Sequence, residues 1–463
     1  MTEVTDRIPT FAAPRAAITS WHSMAARFLY VDLLAVLTAV ALPWSTTAVA
    51  WLLGFWLASL IPLSPTLQAR SFLRLLASPV CRWPLALLAL AMVGTLWAEG
   101  PWPERFHAIS PLVKFAVIPF LLYHFERSRR GAWVLLGFLI SCALLMGLSW
   151  IVMFAPELKL TATKNAGVPV KNYIDQSQEF ALCMVALTPF VVTLFRQGRR
   201  LAAAACAALV LGFFANMAFV VSARAALIYV PVLLLVFAFL HLSRRGSALL
   251  FAGLVAAGTL VWFTSPYWRG RIADIATEYQ DYRENIPAST GRRLEYWQKS
   301  LRFFAEAPLI GHGTGSTRVL FERDAVGQTG LAAEVTANPH NQTLNVAVQW
   351  GLLGVAMLYA MWLAHLLLFR GAGLANWIGL LVVIQNFVSS LFNSHLFDFV
   401  EGWMYVLGVG IAGGMSLRAR RRAGGSRPSA GSDRARSARH PSAGTVLDAA
   451  SATPASQSGR AES

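Results

Sequence analysis

The sequence predicts an all-α polytopic membrane protein of about twelve transmembrane helices, with a long outward loop domain between helices nine and ten. Two observations predict this class. Hydrophobic residues make up 56% of the chain and charged residues only 13%, whereas a soluble chain has about 25% charged residues, so lipid must solvate most of it. Apolar runs long enough to cross a bilayer, about 17–25 residues each, also recur along the chain. They lie at 28–44, 46–63, 83–98, 107–124, 132–154, 179–195, 201–221, 223–242, 247–264, 341–369, 373–393 and 401–417.

The loops between these runs alternate in arginine content. Every second loop carries a cluster of arginines, and the intervening loops hold few cations. Cytoplasmic loops carry an excess of Lys and Arg, so the pattern places both termini in the cytoplasm and requires an even helix count. The net charge of +16 is thus that of loops at a membrane surface, not of a nucleic-acid groove. The clusters are Arg7, Arg15 and Arg27; Arg70, Arg74 and Arg82; Arg127, Arg129 and Arg130; Arg196, Arg199 and Arg200; Arg244 and Arg245; Arg370; and the arginines of 418–463.

The domain organisation follows from these runs. Residues 1–27 form a cytoplasmic N-terminal segment, 28–264 the first nine helices, and 341–417 the last three. The loop domain, 265–340, is long for a chain whose other loops are short, which indicates a function. Residues 418–463, rich in Ala, Ser, Gly, Pro and Arg, are predicted to be a disordered, Arg-rich cytoplasmic tail.

The loop domain contains one predicted amphipathic helix. Apolar side chains recur at helical spacing from Leu294 to Phe304. Ser289 or Thr290 is positioned to cap the start of the helix, and Pro308 ends it.

Arg224 is an exception to the charge pattern. It lies in VVSARAA (220–226), a short outward turn that continues into an apolar helix. An arginine at a membrane helix end is costly unless it is paired or solvated, although its stem can also carry the charge out to the interface. Because the turn belongs to the cation-poor set of loops, we interpret Arg224 as functional.

Arg292 and Arg293 follow at the start of the predicted loop helix, in TGRRLEYW (290–297). A helix N-terminus presents free N–H groups and a positive dipole, and guanidinium groups bind phosphate oxygens in a bidentate manner. The pair therefore suits phosphate or pyrophosphate. A solvated charged face is the alternative interpretation.

His340 is the candidate base. It lies in NPHNQTLNVAVQWG, where the loop domain re-enters the membrane, and Asn341 adds a polar group at that point. A neutral imidazole accepts a proton near neutral pH, and the polar groups at this helix mouth support that role. An interfacial histidine without function is the alternative interpretation.

Two further candidates are less specific. His312 lies in APLIGHGTGS, whose glycines predict a tight loop rather than a phosphate-binding P-loop, because no GK[ST] follows. Asp398 lies in the outward turn SHLFDFVEG near His395 and Glu401. It is placed to orient a histidine or bind an acceptor hydroxyl, or else to stabilise the turn.

Motifs for metal, nucleotide and transport chemistry are missing from the sequence. There is no Asp-x-Asp pair, of which Glu322-x-Asp324 is only a weak approximation, and no Walker or HExxH motif. The four cysteines form no CxxC pair, which argues against a zinc site. Charged residues within the predicted runs are few, with Lys114 the clearest, whereas a proton-coupled transporter usually has more intramembrane carboxylates. No metal or cofactor is expected.

The order of four motifs, with the long loop between helices nine and ten, resembles the O-antigen ligase and O-antigen polymerase superfamily of Gram-negative bacteria. The resemblance covers about residues 215–400, and no single motif carries it. The motifs are VVSARAA, TGRRLEYW, PLIGHGTG (308–315) and NPHNQTLNVAVQWGLLG (338–354).

This resemblance implies a twelve-helix inner-membrane glycosyltransferase of lipopolysaccharide biosynthesis with a periplasmic loop domain. The donor would be O-antigen on undecaprenyl pyrophosphate, and the acceptor lipid A–core. The family's arginines map onto Arg224 and Arg292, which would bind the pyrophosphate, and its essential histidine onto His340. Asp398 is a looser match, and Arg293 has no clear counterpart. The family reaction is regarded as independent of metals.

Three alternatives remain open at this stage. An O-antigen polymerase would use the same donor with a second lipid-linked glycan as acceptor, and a protein O-oligosaccharyltransferase would modify Ser or Thr. A transporter of the lipid-linked glycan would bind pyrophosphate through the same arginines. Inverted repeats would favour the transporter, and none is evident in the sequence.

Overall fold

A computed structural model of the chain describes residues 24–66 and 68–425, which are helical apart from turns and loops. Most of the predicted tail, 418–463, and residues 1–23 of the predicted N-terminal segment lie outside the described residues. The α-helices are α1 (Met24–Ala41), α2 (Thr46–Ser59), α3 (Ala69–Leu76), α4 (Pro79–Val93), α5 (Trp102–Val113), α6 (Ile118–Phe125), α7 (Gly131–Phe154), α8 (Tyr173–Arg196), α9 (Arg200–Phe219), α10 (Ala226–His241), α11 (Arg244–Thr264), α12 (Pro266–Arg283), α13 (Ser289–Glu306), α14 (Ser316–Ala325), α15 (Gln342–Leu368), α16 (Leu374–Ser389) and α17 (Phe399–Gly425).

Each of the twelve predicted runs overlaps a helix, and the protein is a multi-pass helical membrane protein. Within the described residues, nine segments are long and apolar enough to cross a bilayer. Two further apolar helices, α10 and α16, have 16 residues each. The count of twelve spans therefore stays a prediction. The nine segments are Thr46–Leu63, Pro79–Leu96, Trp102–Phe125, Gly131–Phe154, Tyr173–Arg196, Arg200–Phe219, Arg244–Thr264, Gln342–Leu368 and Phe399–Ala423.

The helices differ in how far neighbouring helices enclose them. Of the most apolar part of α17, 78% is buried, against 6% of that of α11. Helix α17 therefore lies at the centre of the bundle, and α11 lies at its edge with its side chains available to lipid. Helix α15 packs along α4 and α16, and α8 packs along α9.

Helix α8 begins earlier than the sequence predicts. It starts at Tyr173, whereas the predicted run begins at residue 179. Its first turns therefore carry Asp175 and Glu179, and both carboxylates are buried, as is Glu401 in the first turn of α17. The expectation that Lys114 is the clearest charge inside the spans is thus incomplete. The predicted runs placed Asp175 in a loop, and Glu179 and Glu401 at the first position of a span.

The loop domain folds into helices α12, α13 and α14. The predicted amphipathic helix is confirmed as α13, which ends at Glu306, two residues before Pro308. The predicted cap is wrong. Ala288 occupies the N-cap position, and the hydroxyl and amide of Thr290 bind Glu278 of α12 instead.

The glycine motif 308–315 packs into a break in α15. At Gly351 the backbone has φ 59° and ψ −155°, which is not helical. The N–H groups of His312 and Gly313 donate to the carbonyls of Val348 and Gln349 at 2.9 and 2.8 Å. A Cβ on Gly311 would lie 2.5 Å from the Gln349 backbone, so only glycine permits this approach. The predicted tight loop is confirmed.

Candidate functional site

The turn that carries Arg224 is held in a non-helical conformation between α9 and α10. The Tyr267 hydroxyl of α12 accepts from the Ser222 amide at 3.0 Å and donates to the Ser222 carbonyl at 2.7 Å. The Ala223 amide donates to the Ser177 hydroxyl of α8 at 2.8 Å. Helices α8 and α12 therefore fix the turn, and Arg224 reaches the loop domain from it.

The guanidinium of Arg224 binds two carboxylates of α12. Its Nη1 and Nη2 donate to the two oxygens of Glu278 at 2.7 and 2.8 Å, and Nη2 also lies 3.3 Å from Asp274. This hydrogen bonding with Arg224 lowers the pKa of Glu278 to about 2. Because Glu278 also accepts from Thr290 of α13, one carboxylate joins the Arg224 turn to both loop helices.

The two adjacent arginines of α13 have different surroundings. Arg292 is 48% exposed, and its Nε donates to Glu334 at 3.0 Å. Arg293 is half-buried, and no ion pair forms with it among the described residues. Burial lowers the pKa of Arg293, and the positive charge of Arg224 lowers it further, which places the two guanidiniums in one electrostatic field. The charge of Arg293 therefore acts together with that of Arg224, whereas Arg292 is paired with Glu334.

His340 is held in a left-handed backbone conformation just before α15. Its φ is 53°, and its amide donates to the Asn338 side chain at 2.9 Å. The ring stacks on Tyr296 of α13, with 6.1 Å between centroids and an interplanar angle of 22°. A non-glycine residue with positive φ persists only where its surroundings enforce it, and here both the turn and the ring stacking do so.

A chain of side-chain hydrogen bonds leads from His340 to Asp398. The Nδ1 of His340 lies 2.7 Å from Oδ1 of Asn393, and Nδ2 of Asn393 donates to Oδ2 of Asp398 at 2.7 Å. Asn338 also donates to Oδ1 of Asn393, at 3.1 Å. The sequence analysis identified His340 and Asp398 but missed Asn393, which joins them. Its position in the polar turn FNSH, five residues before Asp398, was an available signal.

This hydrogen-bond chain determines the tautomer of His340. Because Asn393 presents its carbonyl oxygen to the ring, Nδ1 must carry the proton and Nε2 must keep its lone pair. Burial lowers the pKa of His340, the hydrogen bond with Asn393 raises it, and the charge of Arg293 lowers it. With the pKa lowered overall, the ring is neutral at pH 7, and Nε2 is able to accept a proton.

His312 and Asn341 have structural contacts. The Nε2–H of His312 donates to the Phe303 carbonyl at 2.8 Å, which ties the glycine motif to α13. Asn341 is the N-cap of α15, where its side chain accepts from the Leu344 amide at 3.1 Å. Both residues therefore support the elements that carry Arg293 and His340.

His395, Asp398 and Glu401 form a compact cluster beneath this chain. Nδ1 of His395 lies 3.1 Å from Asp398 and 3.6 Å from Glu401, and the ligand atoms of the three lie within 4.8 Å of one another, as a metal site requires. The ammonium of Lys114, however, donates to the Asp398 carbonyl at 2.6 Å. The Lys114 side chain beside the cluster, and a carboxylate oxygen already bonded to Asn393, both disfavour a metal ion.

An apolar cavity of about 370 Å³ lies among α1, α7, α8, α16 and α17. Its lining includes Leu135, Phe190 and Ile378, and none of the predicted site residues contributes to it. Leu182 and Met404 also line a second, small cavity, to which Glu401 contributes. The apolar cavity of about 370 Å³ is suited to a hydrocarbon chain.

Comparison with known proteins gives one family. Residues 207–359 match the family model described as O-Antigen ligase, a segment that contains Arg224, Arg293 and His340 but ends before Asn393. No curated protein matches the chain. The family match supports a membrane enzyme with an O-antigen ligase- or polymerase-type function on a lipid-linked polysaccharide. Residues 207–359 are therefore similar to the O-antigen ligase family, which confirms the resemblance that the motifs predict.

Proposed function

We propose that this protein transfers O-antigen from undecaprenyl pyrophosphate to a sugar hydroxyl of lipid A–core, completing lipopolysaccharide in a Gram-negative bacterium. The reaction takes place on the periplasmic side of the inner membrane, with both termini of the protein in the cytoplasm. The observation that carries the proposal is His340, whose Nδ1 contacts Asn393 at 2.7 Å and whose pKa is lowered by burial and by the charge of Arg293. The family match agrees with this substrate class.

His340 acts as the general base. A sugar hydroxyl is a weak nucleophile until its proton is removed. Nε2 of His340 accepts this proton as the hydroxyl oxygen attacks the anomeric carbon of the donor. The imidazolium that forms keeps its Nδ1–H on Asn393, whose amide Asp398 holds in place. One base without a covalent nucleophile gives a single displacement, and the anomeric configuration inverts.

The arginines stabilise the leaving group. As the bond from the anomeric carbon to the phosphate oxygen breaks, negative charge develops on the pyrophosphate. Arg224 and Arg293 provide positive charge at this place, so neither a metal nor a general acid is required. In this proposal Arg293 takes the role that the family resemblance gives to Arg292, because Arg293 is half-buried and its charge lowers the pKa of His340, whereas Arg292 is already paired with Glu334.

A reconstituted transfer assay tests this proposal. Purified protein is mixed with undecaprenyl-pyrophosphate O-antigen and lipid A–core in the presence of a chelator, and wild type is compared with His340→Ala. Wild type should convert lipid A–core to a heavier product. The variant should be slower by roughly 10²–10⁴-fold, the usual contribution of a general base, while it still binds the donor.

Other products would identify the alternatives. Growth of the glycan on its own lipid carrier would assign an O-antigen polymerase, and transfer to Ser or Thr of a protein would assign an O-oligosaccharyltransferase. Movement of the donor across the bilayer with no transfer would assign a transporter. Any of these in place of modified lipid A–core would overturn the ligase assignment.

A further inference from the structure

Arg271 is a cation of the loop domain that the mechanism above does not use. Its guanidinium carbon lies 5.8 Å from the ring centroid of Tyr173 and 5.9 Å from that of Tyr267. Its Nε is buried and has no hydrogen-bond partner among the described residues, and no carboxylate of that part of the chain forms an ion pair with it. A buried guanidinium donor without a partner is unfavourable, which calls for an anionic ligand.

Arg271 lies on the side of α12 that faces Arg224. Asp274 and Glu278 follow it by three and seven residues, which places the three side chains on one helix face. Both acidic residues contact the guanidinium of Arg224. Tyr267, one turn before Arg271, is bonded to the turn that holds Arg224. The charge of Arg271 also acts on Arg293, so the three arginines belong to one cluster.

The arginine cluster (Arg224, Arg271 and Arg293) has more donors than its own acids satisfy. Asp274 and Glu278 both bind the Nη atoms of Arg224. Nε of Arg224 is buried without a partner, as is Nε of Arg271. Unused donors on converging guanidiniums are the arrangement that binds an anion with several oxygens.

Arg271 is also close to the end of an apolar helix. Helix α12 begins at Pro266, two residues after the apolar helix α11 ends at Thr264. At a rise of about 1.5 Å per residue, Arg271 is only about two turns from that end. Glu278, which binds the guanidinium of Arg224, lies about two turns farther along α12, so the phosphate attached to the lipid would meet Arg271 and the phosphate attached to the glycan would meet Arg224.

We propose that Arg271 binds the lipid-side phosphate of a polyprenyl diphosphate, while Arg293 and Arg224 bind the phosphate next to the glycan. Arg271 thereby makes the site selective for a diphosphate over a monophosphate. This inference rests on the proposed function for the identity of the lipid, but it concerns binding and requires no acceptor.

The test measures binding of two probes to the full chain in lipid nanodiscs. The probes are radiolabelled undecaprenyl pyrophosphate and undecaprenyl phosphate, and the measured quantity is the ratio of their affinities. Arg271→Gln should lower the affinity for the pyrophosphate by roughly tenfold, as expected for a lost charge-assisted hydrogen bond, and change the affinity for the monophosphate by much less. Arg283→Gln is the matched control, because Arg283 is exposed at the far end of the same helix, and it should leave the ratio unchanged.

The ratio is independent of the fraction of protein that is folded. A wild-type ratio in Arg271→Gln would therefore overturn the inference even if the variant were less stable. Arg271→Lys should recover only part of the selectivity, since it restores charge without the planar fork. If wild type transfers no glycan but shows Arg271-dependent selectivity, the inference stands and the proposed function fails. If it transfers glycan and Arg271→Gln keeps the wild-type ratio, the inference alone fails.

Discussion

The two sides of the candidate site differ in how fully their polar groups are satisfied. On the histidine side, His340, Asn393 and Asp398 are joined by two hydrogen bonds of 2.7 Å. On the arginine side, buried Nε atoms of Arg224 and Arg271 have no partner among the described residues. A satisfied network fixes geometry, whereas unused charged donors await a charged ligand. In the proposed function, the histidine side orients the acceptor and the arginine side binds the donor.

The same contrast separates two neighbouring residues of α13. Arg292 already has a carboxylate partner in Glu334 and is 48% exposed. Arg293 is half-buried without an ion pair in the described part of the chain. Exposed ion pairs contribute little to stability, so loss of Arg292 should have a small effect on the protein as a whole. Loss of Arg293 should weaken the binding of the pyrophosphate donor.

The largest expected effect in this comparison is that of Arg293. Arg293→Ala should lower kcat/KM for transfer by roughly a hundredfold, the size of effect seen when one charge-stabilising donor is removed. Arg292→Ala, the adjacent control, should change it by less than about threefold, since Arg292 makes an exposed contact. Steady-state transfer kinetics of the two variants would check this. Equal losses would mean that both arginines contact the donor and that the distinction drawn from their burial is wrong.

Asn393 should have an intermediate effect through His340. Asn393→Ala removes the acceptor that fixes the tautomer, and transfer should fall by roughly tenfold, the loss expected for one positioned hydrogen bond. Donor affinity should not change, because Asn393 lies on the histidine side. Measured kcat and donor affinity would separate the two. Weaker donor binding with unchanged kcat would assign Asn393 to the arginine side instead.

The smallest expected effect is a shift in pH dependence. Burial lowers the pKa of His340 below its usual 6.5, so the neutral, proton-accepting form prevails at pH 7. The ratio kcat/KM should therefore stay constant down to about pH 6.5 and fall at lower pH as His340 becomes protonated. The charge of Arg293 lowers this pKa and the bond to Asn393 raises it.

Substitutions of Arg293 and of Asn393 should consequently move the fall of kcat/KM at low pH in opposite directions. Arg293→Gln should move its midpoint to higher pH, and Asn393→Ala should move it to lower pH. Profiles of kcat/KM against pH would measure both midpoints. Coincident midpoints in wild type and both variants would show that the titrating group is not His340.

Much of the fold could be predicted from local composition. Each predicted apolar run overlaps a helix, and α13 forms where its periodicity indicates. The start of α8 could not be predicted in this way, because Asp175 and Glu179 are polar and yet buried. Hydropathy measures the average solvent around a segment, whereas burial of a single carboxylate depends on its neighbours from other helices.

The candidate site was predictable in part. His340, Arg224 and Asp398 lie where their motifs suggest chemistry, at helix ends and in the turns between helices. Asn393 was missed because an amide in a polar turn has no distinctive spacing. Its role depends on a contact across 53 residues of sequence. The same limit applies to Glu278, which lies 54 residues from Arg224.

The sequence by itself determined that this chain lies in a membrane, which segments are helical, and which motifs carry its candidate base and cations. Those properties depend on composition and on spacing along one segment. Only the tertiary structure showed that Arg292 and Arg293 have different surroundings, that Nδ1 of His340 contacts Asn393, and that Arg271 lies on the same face of α12 as the acids that bind Arg224. Successive residues of a helix point about 100° apart, so which of two adjacent arginines reaches the site depends on how the helix is packed, and packing is a property of the whole bundle.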